Sequence, residues 1–173
     1  MPRLARDPRD NNDGRRIVER RSIDVKRHPS LRTLSDDHHG GLVWARRLRR
    51  AATGEGDPPA EVAREFLLFW DTDTSLHFRE EEEVLLAVYA RYGGDLGAEP
   101  IQEMVADHAR IRGLVMVLSE EVRSGGVGTG TLRGIGERLE AHIRLEERRV
   151  FPLLEADLPE EGLGEVGARL EAG

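Results

Sequence analysis

Four histidines recur on the inward faces of four successive predicted helices, and two of them are followed four residues later by a glutamate. The six residues are His38, His77, Glu81, His108, His142 and Glu146. Residues four apart lie one above the other on the same face of an α-helix, so each His-x-x-x-Glu pair directs an imidazole and a carboxylate to one side. This spacing predicts helices that pack with polar residues in their core, which is the ligand pattern of a dinuclear metal site inside a bundle.

The apolar residues predict four long helices and one short C-terminal helix. Their ranges are 31–52, 58–92, 100–123, 129–156 and 160–171. Charged residues make up 34% of the chain and aromatic residues only 5%, a composition that favours helix over sheet. Because the connections between the long helices are short, we expect an all-α fold, namely an up-down-up-down four-helix bundle.

The four histidines share the phase of the apolar residues on their own helices, so each is expected to face the same buried volume. The inward stripes also include Leu42 on helix 1 and Val105 on helix 3. Pro152, in the last turns of helix 4, is expected to kink or end that helix.

A lone histidine on an apolar face is usually a core or surface residue. Burying two ionised glutamates beside four histidines, however, is costly without a cation, and a pair of metal ions removes that cost.

The chain is expected to divide into a flexible, charged N-terminal arm over residues 1–27, the bundle over 28–157, and a C-terminal tail over 158–173. The sequence contains no cysteine, which excludes disulfides, thiolate ligands and iron–sulfur clusters. The net charge of −7 argues against nucleic acid as a partner. No apolar run approaches the roughly 20 residues of a membrane span, and residues 1–7 form no apolar signal region, so we expect a cytoplasmic protein.

The order of the helices suggests how the six residues divide between two metal ions. One ion receives the histidines of helices 1 and 2, the other receives the histidines of helices 3 and 4, and each glutamate can bridge the pair. A bridging oxide or hydroxide would give each ion five ligands and leave a position open for a small molecule. Mixed imidazole and carboxylate ligands suit two iron ions, with manganese or zinc as alternatives.

Other residues receive different interpretations. His39 is rotated by about 100° from His38 and is expected at the surface or behind the ligands, although the sequence leaves open which of the two is the ligand. His28 lies ten residues before His38 and is interpreted as a cap or packing residue. The other glutamates of residues 80–83 are interpreted as a solvated face. Plausible walls of a small-molecule pocket are Trp44, Phe66, Trp70, Leu85, Met104 and Met116.

Four short segments surround the six residues, and a fifth follows near the end of helix 4. They are Leu34-Ser35-Asp36-Asp37-His38-His39, His77-Phe78-Arg79-Glu80-Glu81-Glu82, Asp107-His108-Ala109-Arg110-Ile111-Arg112, His142-Ile143-Arg144-Leu145-Glu146-Glu147 and Val150-Phe151-Pro152-Leu153-Leu154. Together, over residues 28–156, they resemble the hemerythrin-like (HHE cation-binding) family. The resemblance implies a four-helix bundle around an oxo-bridged di-iron centre, with the six residues as ligands and the two glutamates bridging.

The resemblance has one departure. Oxygen-carrying hemerythrins have a second histidine four residues after the helix 3 histidine, where this chain has Arg112. Either His39 or another group takes that place, or the site is more open. An open site would favour peroxide turnover or irreversible oxidation over reversible oxygen binding.

Members of this family carry or sense oxygen, handle iron, or act on peroxide or nitric oxide. The resemblance therefore implies, first, a non-haem di-iron protein that binds or senses oxygen, peroxide or nitric oxide. A peroxide-decomposing, catalase-like enzyme is one alternative. A metal storage or zinc-binding module and a metal-free interaction bundle are two others, and metal content separates them from the first.

Overall fold

The computed structural model describes residues 27–172, and all regular secondary structure in that range is helical, with no strand. A 3₁₀ turn at Pro29–Leu31 is followed by α1 (Arg32–Ala52), α2 (59–91), α3 (Glu99–Ser124), α4 (129–157) and α5 (Glu160–Ala172). These bounds agree with the predicted ones to within one residue, so the all-α class is confirmed. The predicted N-terminal arm, apart from Arg27, lies outside the described residues.

Helices α2 and α4 are each interrupted by π-helical turns, in which the backbone hydrogen bonds span five residues instead of four. In α2, these turns lie at Trp70–Thr74 and Glu81–Leu85, and in α4 the turn lies at Glu146–Val150. Two of the three turns thus begin at the glutamate of a His-x-x-x-Glu pair. Of the two outcomes expected for Pro152, an end of α4 is not observed. The residue lies in the first turn of the α-helical segment that follows the π-helical turn, where the regular bonding pattern is already interrupted.

The helix ends follow from local chemistry. The Nδ1 atom of His28 accepts a hydrogen bond from the backbone N–H of Ser30, which confirms His28 as a cap. Helix α2 has a proline in its first turn, where a missing N–H costs nothing. Helix α3 ends at Ser124 and is capped by Gly125, whose φ of 81° is the left-handed conformation that glycine adopts readily.

Apolar side chains form two clusters, separated by a polar layer. The first cluster includes Leu48, Phe66, Ile111 and Leu139. The second includes Leu34, Leu85, Met104 and Phe151, and α5 adds Leu163 and Val166 to it. Each of the four long helices passes from one cluster to the other at its histidine or glutamate. The six candidate residues therefore form the polar layer between two apolar cores.

Helices α1 and α4 approach each other closely through two glycines. A Cβ atom on Gly136 would lie 2.7 Å from the carbonyl oxygen of Ala45, and one on Gly41 would lie 2.8 Å from the Cδ1 atom of Ile143. Gly41, rather than Leu42, is therefore the inward residue of this turn. The prediction that Leu42 is buried is wrong, since the residue is 39% exposed.

Val105 is likewise exposed, to 40%, because Met104 fills the inward position beside it. This second misplaced apolar residue does not alter the packing of α3, whose histidine keeps its buried position. Among residues 27–172, no helix is both long and apolar enough to span a membrane.

Candidate metal centre

The six candidate residues converge in the polar layer and form two overlapping groups of potential ligand atoms. We call the pair His38 and His77 the first half-site, and the pair His108 and His142 the second half-site. Glu81 and Glu146 belong to both groups, and within each group the ligand atoms lie within 4.8 Å of one another. All six side chains are buried. The structure therefore brings together every residue of the predicted site.

Each of the two shared carboxylates directs one oxygen towards each half-site. In Glu81, Oε1 lies 3.4 Å from His77 Nε2, and Oε2 lies 3.2 Å from His108 Nε2. In Glu146, Oε2 lies 3.1 Å from His38 Nε2, and Oε1 lies 2.8 Å from His142 Nε2. Each carboxylate therefore spans the distance between the two half-sites.

The imidazoles of each half-site face each other through the same ring nitrogen. The Nε2 atoms of His38 and His77 are 3.2 Å apart, and those of His108 and His142 are 3.1 Å apart. Two nitrogens that bind one ion at about 2.1 Å and at right angles lie about 3.0 Å apart. The spacing of the nitrogens in both half-sites thus matches a shared ion.

The carboxylate oxygens supply a further test of whether a metal fits. Both oxygens of Glu81 and both oxygens of Glu146 are inaccessible to solvent. Only the Nε2 atoms of the site histidines lie beside them among the described residues, and none of these contacts has the geometry of a hydrogen bond. A buried ionised carboxylate without such partners is costly unless a cation is beside it. Two carboxylates and four imidazoles form the mixed oxygen and nitrogen set that suits iron, manganese or zinc. The donor set therefore fits a pair of metal ions.

The charges in the site are strongly coupled. Burial alone lowers the pKa of His38, but the adjacent carboxylates of Glu146 and Glu147 outweigh burial and raise that pKa to about 9. Burial likewise opposes the charged form of His108, and Glu146 and Glu81 raise its pKa to about 9. Protons thus balance the carboxylates when no cation does so. Because a ligating imidazole has to be neutral, binding a metal releases these protons.

Two further glutamates contact the outer nitrogens of the histidines. Glu147 Oε1 lies 2.7 Å from His38 Nδ1, and Glu82 Oε1 lies 2.7 Å from His108 Nδ1. The interpretation of Glu82 as part of a solvated face is therefore wrong. Its side chain is only 30% exposed, since it packs between His108 and Arg112. Sequence reasoning missed both roles, although both residues directly follow a glutamate of the site, and that repetition was a usable signal.

The structure also shows the contacts of Arg112, which stands where the oxygen carriers have a second histidine on this helix. Arg112 donates two hydrogen bonds to Glu82, from Nη1 at 2.7 Å and from Nη2 at 3.1 Å, and is no part of either half-site. His39 is exposed and belongs to neither group, which agrees with its expected place outside the ligands. His39 therefore does not replace the missing histidine, and each half-site has two imidazoles.

A cavity of about 250 Å³ connects the centre with the surface. Both histidines of the first half-site line it, whereas only His142 of the second does, and acidic residues with His39 surround its mouth. The remaining lining residues are Asp36, Asp37, Gly40, Gly41, Phe69, Asp73, Thr74, Phe78, Leu139, Ile143 and Glu146.

None of the predicted pocket walls lines this cavity. Phe66, Leu85 and Met104 lie inside the two apolar clusters, and Met116 is 73% exposed. Trp44 and Trp70 lie behind the cavity wall, since their rings contact Phe69 and Phe78, respectively, which line the cavity. The prediction was wrong because large apolar residues at helical spacing occur along the whole length of each helix.

The helical fold and the buried cluster of carboxylates and imidazoles define a helical protein with a potential metal-binding core. The profile of the hemerythrin HHE cation-binding domain matches residues 30–154, and the chain belongs to this family. The comparison with curated proteins gave no match, and neither did the comparison with solved structures. The family resemblance inferred from the sequence is thus confirmed.

Proposed function

We propose that this chain is a non-haem di-iron protein that binds or senses oxygen, peroxide or nitric oxide. One observation carries the proposal: Glu81 and Glu146 each direct one oxygen to the first half-site and the other to the second. Two carboxylates in that position are suited to bridge two ions, and a single ion would leave one oxygen of each carboxylate buried without a partner. Membership of a cation-binding family supports the same conclusion.

In this proposal, the ligands would be the four histidines of the two half-sites, the two shared glutamates, and a bridging oxide or hydroxide. Two iron ions suit this donor set best, and manganese or zinc are the alternatives. When bound, the ion pair would supply electrons and a free coordination position for a small oxidant. The chain itself would hold the ions, exclude bulk water with its two apolar clusters, and admit small molecules through the cavity.

A peroxide-decomposing activity is the second candidate, because Arg112 is bonded to Glu82 and supplies no ligand. One half-site, that of His108, then has one ligand fewer than in an oxygen carrier of the family. An anaerobically prepared ferrous protein that formed a stable, reversible oxygen adduct in stopped-flow measurements would count against this second candidate.

We also propose that the four long helices form an up-down-up-down bundle. Along the chain, α1 and α3 run from the second apolar cluster to the first, whereas α2 and α4 run from the first to the second. This alternation is what antiparallel neighbours require. A cytoplasmic location, and partners that are small molecules rather than nucleic acid or membrane, stay predictions from the sequence.

Elemental analysis of protein purified from iron-supplemented cells tests the proposed function. The expected result is about two irons per chain, since the two half-sites share their bridging ligands. Zinc alone, or no metal even after anaerobic reconstitution with ferrous iron, would contradict the proposal. The zinc result would favour a storage or structural module, and the metal-free result would favour an interaction bundle.

A further inference from the structure

Two of the four histidines are fixed from behind by a carboxylate. His38 Nδ1 lies 2.7 Å from Glu147, and His108 Nδ1 lies 2.7 Å from Glu82. An ionised carboxylate only accepts hydrogen bonds, so the Nδ1 atom of each neutral ring carries the hydrogen. The Nε2 atom then presents its lone pair to the half-site. One neighbouring carboxylate thus sets both the tautomer and the orientation of each ring.

An arginine holds each of these carboxylates. Arg27 Nη2 donates to Glu147 Oε2 at 2.6 Å, while Ser35 Oγ donates to Glu147 Oε1 at 2.6 Å. Arg112 donates two parallel hydrogen bonds to Glu82. A bidentate guanidinium fixes the plane of a carboxylate as well as its position. Arg112 therefore holds the Glu82 carboxylate in one plane, whereas the Glu147 carboxylate is held at one oxygen by Arg27 and at the other by Ser35.

The same arginines lie over phenylalanine rings that support the histidines. The ring of His38 stacks on Phe151 at a centroid distance of 5.5 Å, and Arg27 lies 5.1 Å from the Phe151 centroid. The ring of His108 stacks on Phe78 at 3.9 Å, and Arg112 lies 5.5 Å from the Phe78 centroid. Each histidine thus lies in a set of one Glu, one Arg and one Phe, which we call the Glu147 cage and the Glu82 cage.

The two cages are built from different parts of the chain. Arg27 precedes α1, whereas Arg112 lies on α3, on the same helix as the histidine that its cage supports. The other two histidines lack such a cage: half-exposed Asp37 lies 3.5 Å from His77 Nδ1 without a well-formed hydrogen bond, and the Nδ1 atom of His142 is buried without a hydrogen-bond partner among the described residues. Each half-site therefore combines one anchored imidazole with one that has no such anchor.

We propose that Glu82 and Glu147 are positioning residues, each of which fixes the anchored imidazole of one half-site, and that Arg112 and Arg27 hold these carboxylates in place. The proposal rests on the proposed function, since it assumes one ion in each half-site. It also gives Arg112 a role. Arg112 stands where oxygen carriers have a second ligand histidine, and it supports the remaining ligand, His108, through Glu82.

Titration of the metal-free protein with Co²⁺, followed by visible absorption and by competition with a chelator, tests this proposal. Glu82→Gln and Glu147→Gln keep the size of the side chain but weaken the hydrogen bond to Nδ1. Loss of such an outer partner typically lowers metal affinity about 10- to 100-fold. We expect each variant to bind one of its two Co²⁺ ions more weakly than the wild type by that factor. The matched control is Glu83→Gln, because Glu83 is exposed and, within residues 27–172, its one ion-pair partner is the exposed Arg79.

The double variant Glu82→Gln/Glu147→Gln tests whether the cages serve different ions. If each cage serves one half-site, the double variant should bind both Co²⁺ ions weakly. One ion still bound with wild-type affinity would overturn the assignment of one cage to each half-site. Arg112→Lys keeps the charge but loses the bidentate geometry, so we expect an affinity between those of the wild type and Glu82→Gln. Wild-type affinity in Glu82→Gln and Glu147→Gln, equal to that of Glu83→Gln, would overturn the proposal.

The midpoint potential of the iron-loaded protein separates positioning from a merely structural role. A carboxylate on Nδ1 makes the imidazole a stronger donor and favours the more oxidised ion. We expect a higher potential in Glu82→Gln than in Glu83→Gln, and an unchanged potential would contradict the proposal. If the wild type itself fails to bind two Co²⁺ ions, the proposed function fails. If the wild type binds two and the variants match the control, only the positioning role fails.

Discussion

The half-site of His38 and His77 opens to the cavity, whereas the half-site of His108 and His142 is largely covered by the ring of Phe78. Both histidines of the first half-site line the cavity, and His108 lies behind Phe78 with no exposed surface. The donor atoms of the two half-sites nevertheless match, since each has two imidazoles and shares both carboxylates. Because the ligands are equal and the access is not, we expect a small molecule that enters the cavity to meet the first half-site before the second.

The largest effect on metal content is expected from Glu146, which serves both half-sites. Glu146→Ala removes the oxygens near His38 and His142 together, so we expect the loss of both ions. Iron content after anaerobic reconstitution with ferrous iron measures this. Glu137→Ala, an exposed position on the same helix, is the control and should keep two ions. Two ions retained in Glu146→Ala would show that the carboxylate bridges nothing.

The next largest effect is expected from removing one histidine, which should cost the metal ion of one half-site and leave that of the other. His77→Ala removes an imidazole of the first half-site, and His108→Ala removes one of the second, so each variant should keep about one ion per chain. Because the unaltered half-site keeps both imidazoles and both carboxylates, its affinity for iron should fall less than that of the altered half-site. Elemental analysis gives the stoichiometry. If either substitution removed both ions or neither, the division into two half-sites would be wrong.

A smaller effect is expected from the contact of α1 with α4, which positions His38 beside Glu146. In Gly136→Ala, the new Cβ meets the Ala45 carbonyl oxygen at 2.7 Å, and such overpacking typically costs about 1–3 kcal/mol of stability. Gly134→Ala is the matched control, since its Cβ would lie 3.8 Å from Leu114, and it should be neutral or stabilising by up to about 1 kcal/mol. Urea unfolding measures both. Equal stability of the two variants would contradict the close approach.

The smallest effect on metal content, none at all, is expected when the cavity is narrowed. Thr74→Leu places a larger side chain in the cavity wall and should slow the association of nitric oxide with the iron-loaded protein severalfold. Ser119→Leu, in a groove on another face, is the control. Anaerobic stopped-flow absorption gives both rates. An unchanged rate in Thr74→Leu would mean that ligands reach the centre by another route.

The helices and the six residues of the site were accessible from the sequence because their signals are local. Apolar residues repeat with the helical period, and His77 with Glu81, or His142 with Glu146, needs only the four-residue spacing. The bounds of all five helices therefore agree with the structure. The convergence of the site followed from placing four such faces around one core.

The residues that sequence reasoning misplaced act through contacts that are distant in the chain. In the sequence, Glu82 is part of an acidic run, but its partners are on α3, and a π-helical turn begins beside it. Arg27 was assigned to a charged arm, yet it is only 8% exposed, because Glu147, Glu155 and Phe151 of α4 surround it. Local periodicity carries no information on such partners.

X-ray diffraction from crystals of the iron-loaded protein, recorded on both sides of the iron absorption edge, tests the central claim most directly. We predict two separate anomalous peaks, one between His38 and His77 and one between His108 and His142, with Glu81 and Glu146 contacting both. A single peak, a peak confined to the acidic mouth of the cavity, or no peak beside these six side chains would contradict a carboxylate-bridged di-iron centre.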